Sequence, residues 1–164
     1  MAEMVNKALN PDLDVPHMDF DDFWMKFSVR LDGLGKISVT EALLDAFGVP
    51  IEDLFEAAKE NFQLKIYRFE GMDVASNEYE GHPYYGAAGV FFDAYGWEED
   101  MILIPSSIHE WIIFPASMIG GQEILRFTEI IHEVNETVVN TEEWLGTQPY
   151  RFVAETRKVV PVAA

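Results

Sequence analysis

The sequence contains no cysteine, few basic residues and no long apolar run. The absence of cysteine excludes disulfides, thiolate nucleophiles, and zinc or iron–sulfur sites built on cysteine, and it fits a reducing cytosol. No run approaches the roughly 18 apolar residues of a membrane span. The N-terminus also lacks the basic-then-apolar layout of a signal peptide. We therefore expect a soluble, cytoplasmic protein.

Basic residues are scarce relative to acidic ones. The chain has 11 Lys and Arg against 29 Asp and Glu, which gives a net charge of −18 at pH 7. No Lys or Arg lies between Arg68 and Arg126. A field of this sign repels nucleic acid and anionic membranes and attracts basic surfaces. We expect no direct contact with nucleic acid or membrane. The charge serves either a basic protein partner or solubility alone.

The residues that are present favour a folded domain. The chain has 164 residues, of which 49% are hydrophobic and 13% aromatic, enough to build a sizeable core. Asn10-Pro11 and Val15-Pro16 interrupt any helix near the N-terminus. We predict a flexible arm over residues 1–14, a single α+β domain over 15–153 and a loose tail over 154–164.

Local patterns predict the elements of this domain. Thr40 is a good N-cap for a short helix that ends at Gly48, and Pro50 begins a second helix. Gly120-Gly121 precedes the longest helical pattern. Strands are predicted over Lys36–Val39, Gln63–Phe69, Tyr84–Phe92 and, as an edge strand, Gln148–Val153, with an exposed loop over Glu70–Pro83. The aromatic run before them fits a strand over Phe23–Leu31, but its spacing fits a helix face equally well. Together they indicate an antiparallel or mixed sheet of about five strands with helices packed on one face.

The segment Met101–Pro115, MILIPSSIHEWIIFP, is central to this prediction. Its two apolar runs are β-branched or aromatic and are bounded by proline, which is typical of strands in the middle of a sheet. Between them, Ser107 and Glu110 have the spacing of a capping box. We predict two central strands joined by a self-capping turn, in which His109 satisfies polar groups.

Three patterns of residues could carry chemistry. The pairs His109-Glu110 and His132-Glu133 would suit a metal-assisted hydrolase if they met in space, although neither pair forms an HExxH motif. Ser106 and Ser107 beside His109 lack the glycine turn of a serine nucleophile. Gly86-Ala-Ala-Gly89 lacks the lysine of a phosphate-binding loop. We therefore predict no catalytic residue, no metal ligand and no cofactor.

The clustered acids predict a surface for a basic partner. The residues assigned to this surface are Asp19, Asp21, Asp22, Glu70, Asp73, Glu78, Glu80, Glu98, Glu99 and Asp100. Carboxylates placed where phosphates would lie can occupy a groove that otherwise holds DNA or RNA. The function hypothesis is thus a non-enzymatic inhibitor of the anti-restriction or anti-CRISPR type. The alternatives are the metal-assisted hydrolase and a plain interaction domain, such as a homodimer through the sheet edge.

Five segments together resemble an uncharacterised bacterial family, a domain of unknown function common in gut Firmicutes. These segments are PHMDFDDFWMKFSVR, ISVTEALLDAFGVPIEDLFEAAKEN, GAAGVFF, ILIPSSIHEWIIFP and IIHEVNETVVNTEEWL. The resemblance extends from about Val15 to Phe152 and is most specific in PSSIHE and in the stretch ending VNETVVNTEEWL. The acidic stretch after Glu70 and the segment Phe92–Trp97 depart from the family pattern. The resemblance implies the domain boundaries and no activity, because the family has none established.

Overall fold

The chain is described by a computed structural model that covers residues 1–20, 22–61, 64–69, 72–79, 82–84 and 96–162. Two antiparallel sheets and three α-helices make up this part of the chain, so the predicted α+β class is confirmed. None of these helices is long and apolar enough to cross a membrane.

The smaller sheet has four strands and is built around the long central strand β3. Strands β1 and β2 flank β3, and β4 pairs with its far end. The strands are β1 (Ala2–Asn6), β2 (His17–Phe20), β3 (Phe23–Leu31) and β4 (Gly35–Ser38). Phe23–Leu31 is thus a strand, one of the two alternatives that its spacing allows. Residues 2–6 form an edge strand of this sheet instead of the flexible arm expected there.

The larger sheet holds the segment from Met101 to Pro115 at its centre, as predicted. Its order is β11-β10-β8-β9-β6-β5, and β7 also pairs with β6. The strands are β5 (Leu64–Phe69), β6 (Met72–Tyr79), β7 (His82–Tyr84), β8 (Met101–Ser107), β9 (Glu110–Pro115), β10 (Tyr150–Val153) and β11 (Lys158–Pro161).

Several predictions for this region are wrong. β6 replaces much of the expected loop over Glu70–Pro83, because its residues pair on both sides with β5 and β9. β10 is an interior strand, since β11 from the expected loose tail covers its outer edge. The described strands also outnumber the five or so that were expected. Most of the strand predicted over Tyr84–Phe92 lies outside the described residues.

The helices follow the predicted capping signals. The backbone N–H of Leu43 donates to Thr40 Oγ1 (3.3 Å), and Gly48 ends the helix with φ at 67°. The helices are α1 (Glu41–Phe47), α2 (Ile51–Glu60) and α3 (Gly121–Thr137), with short 3-10 helices at Ala116–Met118 and Thr141–Glu143.

Alternating side chains of β8 divide the core into two layers. Leu103 packs with the smaller sheet, in a buried cluster that includes Phe23, Trp111 and Phe152. Ile102 and Ile104 instead form a second cluster with Ile131 of α3. The prediction of helices on one face therefore needs correction. α3 covers one face of the larger sheet, and the smaller sheet, with apolar residues of α1 and α2 packed against the same core, covers the other.

Candidate functional site

The turn between β8 and β9 holds the polar residues that the sequence singles out. Ser106 Oγ donates to Glu110 Oε1 (3.1 Å), and the backbone N–H of His109 donates to Ser107 Oγ (3.1 Å). A β-bulge lies between Pro105 and Ser107. The turn does cap itself, but the expected capping box between Ser107 and Glu110 is wrong. Both serine hydroxyls form hydrogen bonds within the turn. These bonds do not activate either serine as a nucleophile.

His109 and Glu110 each join the turn to a neighbouring element. His109 Nε2 lies 3.3 Å from Glu143 Oε1, in the 3-10 helix that follows α3. Tyr67 of β5 donates its hydroxyl proton to Glu110 Oε2 at 3.1 Å. Burial raises the pKa of Tyr67, and the negative charge of Glu110, which also accepts this hydrogen bond, raises it further. These contacts link two elements, β5 and the second 3-10 helix, to one turn.

The two His-Glu pairs do not form a metal centre. His132 and Glu133 are exposed on α3, whereas His109 contacts Glu143. In the described part of the chain, which includes both pairs, no group of three or more His, Asp or Glu side chains could hold a metal ion. The residues assigned to the hydrolase alternative are therefore not gathered into a site.

The acidic residues expected near position 20 have partners within the protein. Asp19 forms an ion pair with Lys7. Asp22 Oδ2 accepts hydrogen bonds from Tyr150 Oη (2.7 Å) and Gln148 Nε2 (2.9 Å). Asp22 therefore ties the β2–β3 turn to the start of β10. Asp21 lies outside the described residues.

The acidic residues expected further along the chain are also largely engaged. Arg68 pairs with Asp73 (2.9 Å), and Arg151 pairs with Asp100 (2.8 Å). Asp100 also accepts the backbone N–H of Ala154 at 2.8 Å, and Glu99 accepts the hydroxyl of Ser117 at 3.2 Å. Glu98 is exposed. Glu70, Glu80 and the side chain of Glu78 fall outside the described part. Many of the predicted partner-binding acids thus contact other parts of this chain.

Two helices present carboxylates that sequence reasoning did not assign to the binding surface. Glu129, Glu133 and Glu136 are exposed on α3, on the side away from buried Ile131. Their side chains have no ion pair or hydrogen bond with any other described residue. Glu52, Glu56 and Glu60 form a similar exposed row on α2. The i, i+3 and i, i+4 spacing of these acids is visible in the sequence.

A buried carboxylate in β1 was also missed. Glu3 is 3% exposed, and its Oε1 lies 2.7 Å from Lys36 Nζ and 2.8 Å from the Ser28 hydroxyl that donates to it. Its Oε2 lies 3.5 Å from Lys26 Nζ. Two ammonium groups therefore compensate one buried charge, as a buried carboxylate requires. The strand pairing that assembles this cluster is not evident in the sequence, because β1 is so short.

Comparison with known proteins finds similarity to one family model over part of the chain. No curated protein and no solved structure matches this chain. The family match covers β8, β9, α3 and β10, and it contains both PSSIHE and VNETVVNTEEWL. It is shorter than the resemblance predicted from the sequence. Residues 93–153 match the model of a family of unknown function (DUF5688), which confirms the expected similarity to an uncharacterised domain family.

Proposed function

We propose that this protein is a non-enzymatic acidic binding protein that occupies the basic, nucleic-acid-binding groove of a partner protein. A restriction or CRISPR nuclease is the kind of partner that has such a groove, and the encounter would take place in the cytoplasm. The net charge of −18 supports this proposal through long-range attraction to a basic surface.

The row of exposed carboxylates on the outer face of α3 is the main support for this proposal. Glu129, Glu133 and Glu136 are exposed there and are not engaged by other described side chains. At 1.5 Å of rise per residue, Glu129 and Glu133 lie about 6 Å apart along the helix axis. This is close to twice the roughly 3.4 Å repeat of phosphates along one DNA strand. A basic groove shaped for phosphates could therefore accept this row.

The row on α2 is similar but more regular, because the second step on α3, from Glu133 to Glu136, is three residues, or about 4.5 Å. Glu52, Glu56 and Glu60 follow one another at four-residue intervals, so their spacing along the axis is also about 6 Å. On α3, Arg126 lies one turn before Glu129. The last turn of α3, which contains Glu136, has no basic residue, whereas the last turn of α2 contains Lys59 beside Glu60. We take α3 as the principal contact and α2 as a second acidic surface.

The test compares two variants of equal charge. Glu129→Gln/Glu133→Gln/Glu136→Gln and the control Asp12→Asn/Asp14→Asn/Glu155→Gln each remove three exposed negative charges. Each protein, and the wild type, captures partners from a bacterial lysate at 50 mM and 500 mM salt. Duplex DNA is then added as a competitor.

We expect the wild type to recover nucleic-acid-binding proteins that both salt and duplex DNA release. Exposed ion pairs contribute roughly 0.2–1 kcal/mol each, so the α3 variant should bind a recovered partner about 3- to 150-fold more weakly. The control variant should bind like the wild type. Recovery of no such protein at low salt, or equal weakening in both variants, would refute the proposal.

A further inference from the structure

A cavity of about 340 Å³ is lined both by the charged cluster around Glu3 and by the second 3-10 helix, Thr141–Glu143. Its volume is at the small end of the range for ligand-binding pockets, roughly 300–1,000 Å³. A cavity of this size suits a small metabolite rather than a segment of protein chain. The charged and apolar groups in its walls indicate which kind of metabolite fits.

Lys26 of β3 supplies hydrogen-bond donors to this cavity. Its ammonium lies 3.5 Å from Glu3 Oε2 and forms no hydrogen bond within the described part of the chain. Glu3 Oε1 is engaged more closely, by the Ser28 hydroxyl at 2.8 Å and by Lys36 Nζ at 2.7 Å. An ammonium group has three N–H donors and no acceptor. Because two lysines face one glutamate, this cluster has a net charge of +1 and can bind a carboxylate.

The second 3-10 helix supplies carboxylates to the same cavity, from Glu142 and Glu143. Glu143 is contacted by His109 and by Asn140 Nδ2. The Glu142 side chain is exposed and has no hydrogen bond or ion pair with another described residue. Glu142 is therefore the carboxylate that can bind an ammonium group of a ligand.

Apolar side chains complete the lining of the cavity. They belong to Met4, Val5 and Ile108, of which Met4 and Ile108 are 1% and 7% exposed. Such a wall favours the hydrocarbon part of a ligand, because burial of apolar surface is favourable. A simple anion would be repelled by Glu142, and a simple cation would leave Lys26 without a hydrogen-bond acceptor. A ligand that carries both charges satisfies both residues.

We propose that this cavity binds a free α-amino acid with an apolar side chain. The carboxylate of the ligand pairs with Lys26, its ammonium group pairs with Glu142, and its side chain packs against Val5 and Ile108. The bound ligand joins the smaller sheet to the second 3-10 helix and stabilises the folded protein by mass action. This site is distinct from the α3 face and does not depend on the proposed function.

The test measures binding of L-leucine by isothermal titration calorimetry at 50 mM salt. Two truncated ligands are compared with it: 3-methylbutylamine lacks the carboxylate, and 4-methylpentanoate lacks the ammonium group. The proteins are the wild type, Lys26→Met and Glu142→Gln, with Lys158→Met and Glu133→Gln as matched controls at exposed positions. Circular dichroism verifies the fold of each variant.

We expect L-leucine to bind the wild type and to raise its Tm. Each truncated ligand should bind at least about tenfold more weakly, because it lacks one charged hydrogen-bonding group. Lys26→Met and Glu142→Gln should each bind L-leucine about three- to tenfold more weakly, because each loses one partly exposed ion pair. Both control variants should bind it like the wild type.

The inference is overturned if L-leucine does not bind, if either truncated ligand binds equally well, or if Glu142→Gln binds L-leucine like Glu133→Gln. Because Glu142 is exposed, its substitution leaves the fold intact, and this comparison is decisive even if Lys26→Met disturbs the cluster around Glu3. The α3 triple variant should bind L-leucine normally, which separates this result from the lysate experiment.

Discussion

Replacement of Glu3 by glutamine tests whether the buried charge cluster stabilises the smaller sheet. Glu3 Oε1 and Oε2 interact with Lys36, Ser28 and Lys26 on β3 and β4. Glutamine retains the shape of the side chain and removes its charge. One of its two positions becomes an N–H donor, which faces ammonium groups that are also donors. The substitution therefore removes the negative charge that Lys26 and Lys36 both contact.

The expected loss of stability depends on the burial of Glu3 and on the partial exposure of the two lysines. Removal of one partner from a buried ion pair costs about 3–5 kcal/mol. The side chains of Lys26 and Lys36 are 26% and 30% exposed, so their ammonium groups can recover part of their hydration. We therefore expect Glu3→Gln to lower the free energy of unfolding by about 2–3 kcal/mol, somewhat less than for a fully buried pair.

Urea unfolding followed by tryptophan fluorescence measures this loss, since the chain contains 4 Trp. Glu136→Gln is the control, because Glu136 is exposed and its substitution should change stability by less than about 0.5 kcal/mol. A double-mutant cycle with Lys36→Met should give a coupling of about 0.5–3 kcal/mol. If Glu3→Gln unfolds at the same urea concentration as Glu136→Gln, the cluster does not stabilise the sheet.

Three further predictions follow from other contacts. The raised pKa of Tyr67 means that the folded protein retains the phenol proton to higher pH than the unfolded chain. The stabilising contribution of this protonated phenol is therefore present below pH 10 and is lost as pH rises through the folded pKa. Tyr67→Phe should consequently lose less stability than the wild type between pH 9 and 11 in urea titrations, and equal losses would contradict this. Gly146→Ala should cost about 1–3 kcal/mol, because the added Cβ would lie 2.8 Å from Pro105 Cγ, whereas Gly121→Ala, with nothing within 4 Å, should be nearly neutral in the same assay. Asn135→Ala should cost about 1–3 kcal/mol in thermal or urea unfolding, because it removes the buried hydrogen bond to Gly146 O (3.1 Å), and a value near that of the exposed control His132→Ala would refute this reasoning.

Elements defined by local chemistry could be predicted from the sequence. Thr40 and Gly48 bound α1 because capping depends on neighbouring residues only. The strands around PSSIHE were predicted because proline and β-branched residues restrict the backbone locally. β1 could not be predicted in this way. Five residues with a charge at the second position do not suggest a buried strand, and the lysines that permit its burial lie on β3 and β4.

The candidate binding surface, too, could be predicted only in part from the sequence. Composition gives the total charge, but it does not show which carboxylates have intramolecular partners. Asp22 looks like part of an acidic cluster in the sequence. In the fold it accepts a hydrogen bond from the hydroxyl of Tyr150, 128 positions away. The rows on α2 and α3 could have been found from their helical spacing. The cluster around Glu3 could not, because it depends on the register of β1 with β3 and on Lys36 of β4.

The position of β8 and β9 at the middle of the larger sheet has a consequence for dissecting the chain. A fragment spanning residues 101–153 would contain β8, β9, α3 and β10, but it would lack β6 and β11, which pair with the outer edges of β9 and β10. It would also expose Leu103, Trp111 and Phe152 on the face that the smaller sheet covers. Unpaired edges beside an apolar face are a template for aggregation. Expression of this fragment alone should therefore give insoluble protein, and co-expression with the remaining segments should recover it.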